Sequence, residues 1–216
     1  MREMRFDRTL LRLYAIIDPR YTANVSPLNV VRAVVRGGAT LLQVRGDGLT
    51  DFALYTLACQ LQKILEEFNV PLIVNDRADI AQAVGAAGVH VGHIGLEDLP
   101  PDIVRRVMGP NAIVGVSVAS VEEALTAESL GASYVSVGPI YTTTSKDDAG
   151  TAVGLERIRL IRARFQGPLC AIGGITPATA ADVIRAGADG VAVISALTTA
   201  TDPEKVTRDF LRKLNM

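Results

Sequence analysis

The sequence predicts a (β/α)8 barrel, the TIM-barrel class of α/β proteins, taking up residues 1–216 as one domain. Three observations carry the expectation. Short apolar, β-branched runs recur eight times, each followed by a segment with helical periodicity. The runs are apolar on both faces, as strands of a parallel sheet covered by helices are. No Ser/Gly linker or shift in composition separates a second domain. Eight strand–helix units in 216 residues fall at the small end of the barrel size range. A doubly wound open sheet is the main rival. It usually has fewer strands for this length and often a GxGxxG after the first, which is absent here.

The strands are expected at 13–17, 40–44, 72–74, 88–91, 112–116, 134–137, 169–172 and 190–194. Among the helices, one runs from Asp51 to Phe68 and stops before Pro71. Another spans Val121 to Leu130 between Ser120 and Gly131, and Thr176-Pro177 opens a third toward Gly187. A weak internal repeat, in which a helix passes to a strand through a small-residue turn, recurs near Gly37, Ala87, Gly131 and Gly187.

Composition bounds the function. With 49% hydrophobic residues and a net charge of -1, the chain reads as a compact soluble domain. Its 22 Lys+Arg and 23 Asp+Glu form no long basic run, so no nucleic-acid partner is expected and any anionic ligand must meet a local site. The first residues alternate charged with apolar side chains, unlike a signal peptide, and no run of about 18 apolar residues follows. A cytoplasmic protein with no membrane partner is expected. Oligomeric state stays open, with a homo-oligomer among the options. Cys59 and Cys170 read as buried thiols.

In a barrel of this class, chemistry sits on loops at the C-terminal ends of the strands. After strand 2, Gln43 and Arg45 fall on one side of the chain by strand alternation, and Asp47 falls on that side too if the strand continues to it. Arg45 ends an apolar strand, where a guanidinium needs an anion: either a ligand or a neighbouring carboxylate. After strand 3, Asn75 and Asp76 could bind a ligand or a hard cation, or Asp76 could cap a helix. Glu97 and Asp98 after strand 4 pose the same choice. His90 within strand 4 reads better as a satisfied core imidazole than as a base. Ser117 can aim a hydroxyl at the mouth, and Ser120 can cap the following helix.

The loop after strand 6 contains Thr142, Thr143, Thr144, Ser145, Lys146, Asp147 and Asp148. Gly173 and Gly174 after strand 7, with the Ile194-Ser195 turn after strand 8, fit a phosphate cradle built from backbone N–H groups. The sum is a mouth with two anion sites and two carboxylates placed for Mg2+. No Ser-His-Asp, Cys-His or metal-histidine set appears. The chemistry should be one that positioning and charge stabilisation can drive, such as pyrophosphate loss.

The ordered set Gln43-x-Arg45, Asn75-Asp76-Arg77, Gly88 to Gly92, Glu97 to Pro100, Gly115 to Ser117, Gly138 to Lys146, Ala171 to Ile175 and Gly187 to Ser195 resembles the thiamine phosphate synthase family. The segment Gly-Pro-x-aromatic-x-Thr-x-Ser-Lys is its most specific piece. The resemblance implies two small phosphorylated heterocyclic substrates, a pyrimidine diphosphate and a thiazole phosphate, joined with loss of pyrophosphate. It implies Mg2+ on Asp76 and Asp98. It gives Gln43, Arg45, Asn75, Ser117 and Lys146 to the pyrimidine diphosphate, with Arg45, Ser117 and Lys146 catalytic. Thr143, Thr144, Ser145, Gly174, Ile194 and Ser195 would hold the thiazole phosphate. Three departures stand out. Asp47 replaces a usual lysine, removing one diphosphate contact unless it joins the metal site. Three extra residues precede Glu97-Asp98. Ala119 occupies the place of a frequent histidine, which a related tautomerase subgroup uses for proton transfer, and so weighs against a tautomerase. A thiazole phosphate tautomerase is one alternative, and Asp47 with the altered strand 4 loop makes a non-catalytic phosphate-binding paralogue the other.

Overall fold

A computed structural model of the protein describes residues 6–22, 25–93, 99–145 and 150–215. A 3-10 turn over Arg8–Leu11 leads into β1 (Leu13–Ile17), and α1 (Pro27–Gly37) follows. Next come β2 (Leu41–Val44), α2 (Asp51–Glu66), β3 (Leu72–Asn75), α3 (Ala78–Val84), β4 (Gly88–Val91) and α4 (Pro101–Met108). The second half holds β5 (Ile113–Val118), α5 (Val121–Ser129), β6 (Tyr134–Val137), α6 (Gly154–Arg162), β7 (Leu169–Ile172), α7 (Ala180–Arg185) and β8 (Gly190–Val193). A single turn, α8 (Ser195–Thr198), and the final helix α9 (Pro203–Leu214) complete the chain. Each strand pairs in parallel with the next, and β8 pairs with β1, closing the barrel. Among the described residues, no helix is long and apolar enough to cross a membrane.

All eight expected strands form. The strand expected to end at Val116 continues to Val118, because Ser117 and Val118 pair with Ser136 and Val137. The helix expected from Thr176 starts only at Ala180. Residues 176–179 instead make a turn in which the Thr179 hydroxyl accepts from the Thr176 amide at 3.0 Å. Ser120 caps α5 as expected, accepting from the Glu123 amide, and Thr50, which the sequence reading did not single out, caps α2 by accepting from the Ala53 amide. Gly38 ends α1 with φ 103°, a left-handed conformation that a side chain would strain. Cys170 is buried and its thiol is pushed up by that burial, whereas Cys59 is only half-buried. It lies one residue past Ala58, at the edge of the buried stripe of α2.

Strand alternation divides the core in two. Side chains such as Leu42, Val44, Val89, Val114, Val135 and Val191 point outward and pack under the helices. The opposite parity, Tyr14, Ile16, Leu41, Ile73, Tyr134, Cys170 and Ala192, fills the barrel interior. Leu11 joins this inner group from the N-terminal turn. A Cβ on Gly190 would lie 1.8 Å from the Leu11 carbonyl oxygen, so the turn closes the lower end only because β8 begins with glycine.

Candidate active site

The upper end of the barrel opens into a cavity of about 730 Å3 lined by the C-terminal ends of the strands. Beneath it runs a hydrogen-bonded chain of inward-facing polar side chains. Gln43 Nε2 donates to the Tyr14 hydroxyl at 2.5 Å, and the Tyr134 hydroxyl donates to Tyr14 at 2.9 Å. His90 Nδ1 lies 3.0 Å from the Tyr134 hydroxyl, and its Nε2 lies 3.2 Å from the Ser117 hydroxyl. Burial pushes the Tyr14 and Tyr134 hydroxyls well above the usual phenol range, so both stay neutral. His90 is thus a satisfied core imidazole, as the sequence suggested, and it also lines the cavity floor. The chain joins Gln43 at one side of the mouth to Ser117 at the other and fixes both ends.

Asn75 and Asp76 sit where β3 turns away from the barrel. Asp76 takes φ 58°, and its amide donates to the His90 carbonyl at 2.8 Å, so main-chain pairing between β3 and β4 continues past the strand end. The side-chain amide of Asn75 donates through Nδ2 to an Asp76 carboxylate oxygen at 2.5 Å. The helix-cap alternative for Asp76 does not hold, since Arg77 occupies the N-cap position and no side chain caps α3. Asp76 is left facing the cavity. Arg77 has a structural role, pairing with Asp79 and Asp51 and holding both carboxyls below the usual range.

Arg45 is mostly buried at the end of β2 and does have a carboxylate neighbour, Asp47, 2.5 Å from its Nη2. Its Nε is buried without a hydrogen-bond partner. Asp47 is held between two guanidinium groups, and among the described residues it belongs to no cluster of three His, Cys, Asp or Glu side chains. The same Oδ2 atom lies 3.1 Å from Nη2 of Arg20, which in turn grips the buried Asp18.

Across the mouth, the loop after β6 packs on the loop after β7. Ile140 and Tyr141 donate their amides to the carbonyls of Ile172 and Gly173, at 2.9 and 3.0 Å. Gly174 has φ 64°, and a Cβ there would come within 2.6 Å of the Thr142 carbonyl oxygen, so the approach requires glycine. Ser145 is buried, and its hydroxyl donates to that of Ser195 at 2.8 Å, tying the β6 loop to the start of α8. Thr143, Thr144, Ser145, Gly174, Ile194 and Ser195 therefore gather on one wall, with Gln43, Arg45, Asn75, Asp76 and Ser117 on the rest. Lys146 and Asp98 lie outside the described residues.

Sequence reasoning missed several lining residues. Tyr14 and Ser136 lie inside expected strands with no motif to mark them, although alternation puts both on the inner face. His93 could not be foreseen. It lines the cavity with Nδ1 3.0 Å from Glu123, a residue 30 positions away.

A closed parallel barrel whose mouth is walled by glycines, hydroxyls, an arginine and a carboxylate defines a (β/α)8-barrel enzyme with its site at the C-terminal rim. The family described as thiamine monophosphate synthase matches residues 13–197, and the chain belongs to that family. It is 48% identical to a thiamine-phosphate synthase of Roseiflexus castenholzii over 91% of this chain and 85% of that protein. To the thiamine-phosphate synthase of Natronomonas pharaonis it is 44% identical, over 91% of each chain. Among solved structures, a thiamine phosphate pyrophosphorylase from Pyrococcus furiosus superposes with a TM-score of 0.86 at 37% identity, covering 96% of this chain and 97% of that one.

Proposed function

We infer that the protein is a transferase that joins a hydroxymethylpyrimidine diphosphate to a thiazole phosphate, forming thiamine phosphate and releasing pyrophosphate. The observation that carries the reading is convergence. Eleven of the described residues proposed from sequence face one cavity, large enough for two small ligands side by side.

In this reading the diphosphate lies toward Arg45 and Asn75, with its pyrimidine over Gln43 and Ser117. The thiazole phosphate lies against Ser145, Ser195 and the Gly174 backbone. The C–O bond to the diphosphate breaks first, the electron pair leaving with pyrophosphate. The resulting pyrimidine-methyl cation is captured by the thiazole nitrogen. Such a reaction needs no protein nucleophile. It needs cations on the departing oxygens and a fixed approach for the second ring. Arg45 supplies one cation, and its unpartnered Nε offers a further donor. Lys146 supplies another.

The residues fit Mg2+ as well. Asp76 is a hard oxygen donor at an oxygen-rich rim, and Asp98 is proposed as the second. Among the described residues no three His, Cys, Asp or Glu side chains gather, so an ion there would complete its shell from phosphate oxygens and water. When bound, Mg2+ neutralises charge on the leaving diphosphate. The protein is read as cytoplasmic, in keeping with its two free cysteines.

The test is pyrophosphate release with each substrate omitted in turn. Turnover should require both substrates and Mg2+; binding of both ligands without turnover would sink the reading. Lys146→Ala should lower kcat by roughly 10- to 1000-fold, and an unchanged rate would remove its assigned role. One observation favours the tautomerase alternative. Glu123, which accepts from the Ala119 amide at 2.8 Å, also holds His93, so an imidazole reaches the rim although residue 119 is alanine. Proton transfer on the thiazole phosphate alone would persist in EDTA, and loss of all activity there excludes it.

A further inference from the structure

A chain of four alternating charges crosses the rim between the loops after β1 and β2, and nothing in the reaction above accounts for it. Asp18 is fully buried, with its carboxylate bound by Arg20 through Nε at 3.0 Å and Nη2 at 2.6 Å. The Arg20 amide also donates to Asp18, at 3.0 Å. Arg20 is therefore fixed to the fold by its backbone and its side chain. From that anchor, Nη2 of Arg20 reaches Asp47 Oδ2 at 3.1 Å, and the same oxygen receives Nη2 of Arg45 at 2.5 Å. Asp47 and Arg45 line the cavity, whereas Arg20 stands behind them.

The two ends of this chain differ. Arg20 has a second carboxylate in Asp18 and is held by it whatever Arg45 does. Arg45 has only Asp47 as an ion-pair partner among the described residues, and its buried Nε makes no hydrogen bond. A bidentate anion offers Arg45 what one carboxylate oxygen cannot, parallel bonds to both Nε and Nη2. If Arg45 turns to such an anion, Asp47 does not become an uncompensated charge, because Arg20 remains beside it.

We propose that Asp47 is an affinity-setting residue, an internal competitor that occupies Arg45 until a diphosphate displaces it, with Arg20 as the reserve cation that makes the exchange reversible. The inference rests on Arg45 contacting the diphosphate. Its consequence is weaker retention of pyrophosphate than the arginine alone would give, so that the inorganic product departs readily after the new bond has formed. Asp47 acts on the ligand through Arg45 and through its own negative charge, and is a positioning residue.

Calorimetry with inorganic pyrophosphate and Mg2+ tests this on the intact chain. Asp47→Asn keeps the shape of the side chain and removes the competitor, and should tighten pyrophosphate binding by about 3- to 30-fold, the span expected for one partly screened charge. Arg20→Gln should do the reverse, weakening binding by leaving Asp47 to Arg45 alone. In the Asp47→Asn background, the same Arg20 change should have little effect on binding, a dependence that a merely structural role for Arg20 would not produce. Unchanged or weaker pyrophosphate binding in Asp47→Asn overturns the proposal, as does an Arg20 effect of equal size with and without Asp47. Arg45→Ala separates the two levels. If it abolishes binding while Asp47→Asn does nothing, only the competitor role fails; if it leaves binding intact, the diphosphate site has been placed wrongly and both fall.

Discussion

The two faces of the barrel sheet are built from the same eight strands and bear opposite chemistry. The outward face is continuous aliphatic packing, Leu42, Val74, Val89, Val116 and Val137 among others, all essentially inaccessible. The inward face carries Tyr14, Gln43, His90 and Tyr134 at comparable burial. Aliphatic side chains need only volume and contact to be stable in the dark of the protein, so the outer layer can be held by any close fit. Polar groups at the same depth must find partners. The inner face meets that need with one continuous chain, and every member depends on its neighbours' positions. Stability is concentrated on one side of the sheet and precision on the other.

Substitutions on each face can break that contrast or sharpen it. The largest stability loss should come from the outer shell. Leu61→Ala, in the fully buried stripe of α2, is expected to cost about 2–5 kcal/mol in urea unfolding, with kcat/KM preserved below the transition. A loss of activity without a loss of stability would show that the two faces are coupled. Gly115→Ala acts on the inner face by size alone. Its new Cβ would lie 2.1 Å from Cζ of Tyr134 and 2.5 Å from Nδ1 of His90, so both rings must move. About 1–3 kcal/mol should be lost, together with most of the activity, since His90 positions Ser117. Smallest in stability is Tyr134→Phe, which keeps the ring's stacking contacts with Phe6 and His90 but removes the hydroxyl joining Tyr14 to His90. It should cost about 1–2 kcal/mol and raise KM for the pyrimidine substrate more than for the thiazole phosphate. Equal changes in both KM values would detach the hydrogen-bonded chain from the pyrimidine side.

Some of this was legible along the chain. Gln43 and Arg45 share a face because they lie two residues apart on a strand, and that spacing needs no tertiary information. Gly174 and Ser195 follow strands 7 and 8, where the fold itself places a cradle. Ser145 was legible as part of a hydroxyl-rich loop, but its contact with Ser195, 50 residues on, was not. Asp47 shows the limit most clearly. Its place beside Arg45 suggested a lost cation or a possible metal ligand, and the loop after β1 turned out to deliver Arg20 to the same oxygen.

The sequence by itself determined the eight strands, the face each side chain takes, the cap of α5, and which residue types reach the rim. These follow from periodicity and from local backbone chemistry, which act over a few residues. Only the tertiary structure decided partners: Tyr134 to Tyr14 across 120 residues, His93 to Glu123, Arg20 to Asp47, and Asp76 turned from a helix cap into a cavity carboxylate. Closure of the barrel brings these groups together, and the cost of leaving a buried polar group unpaired then selects among the contacts that closure permits.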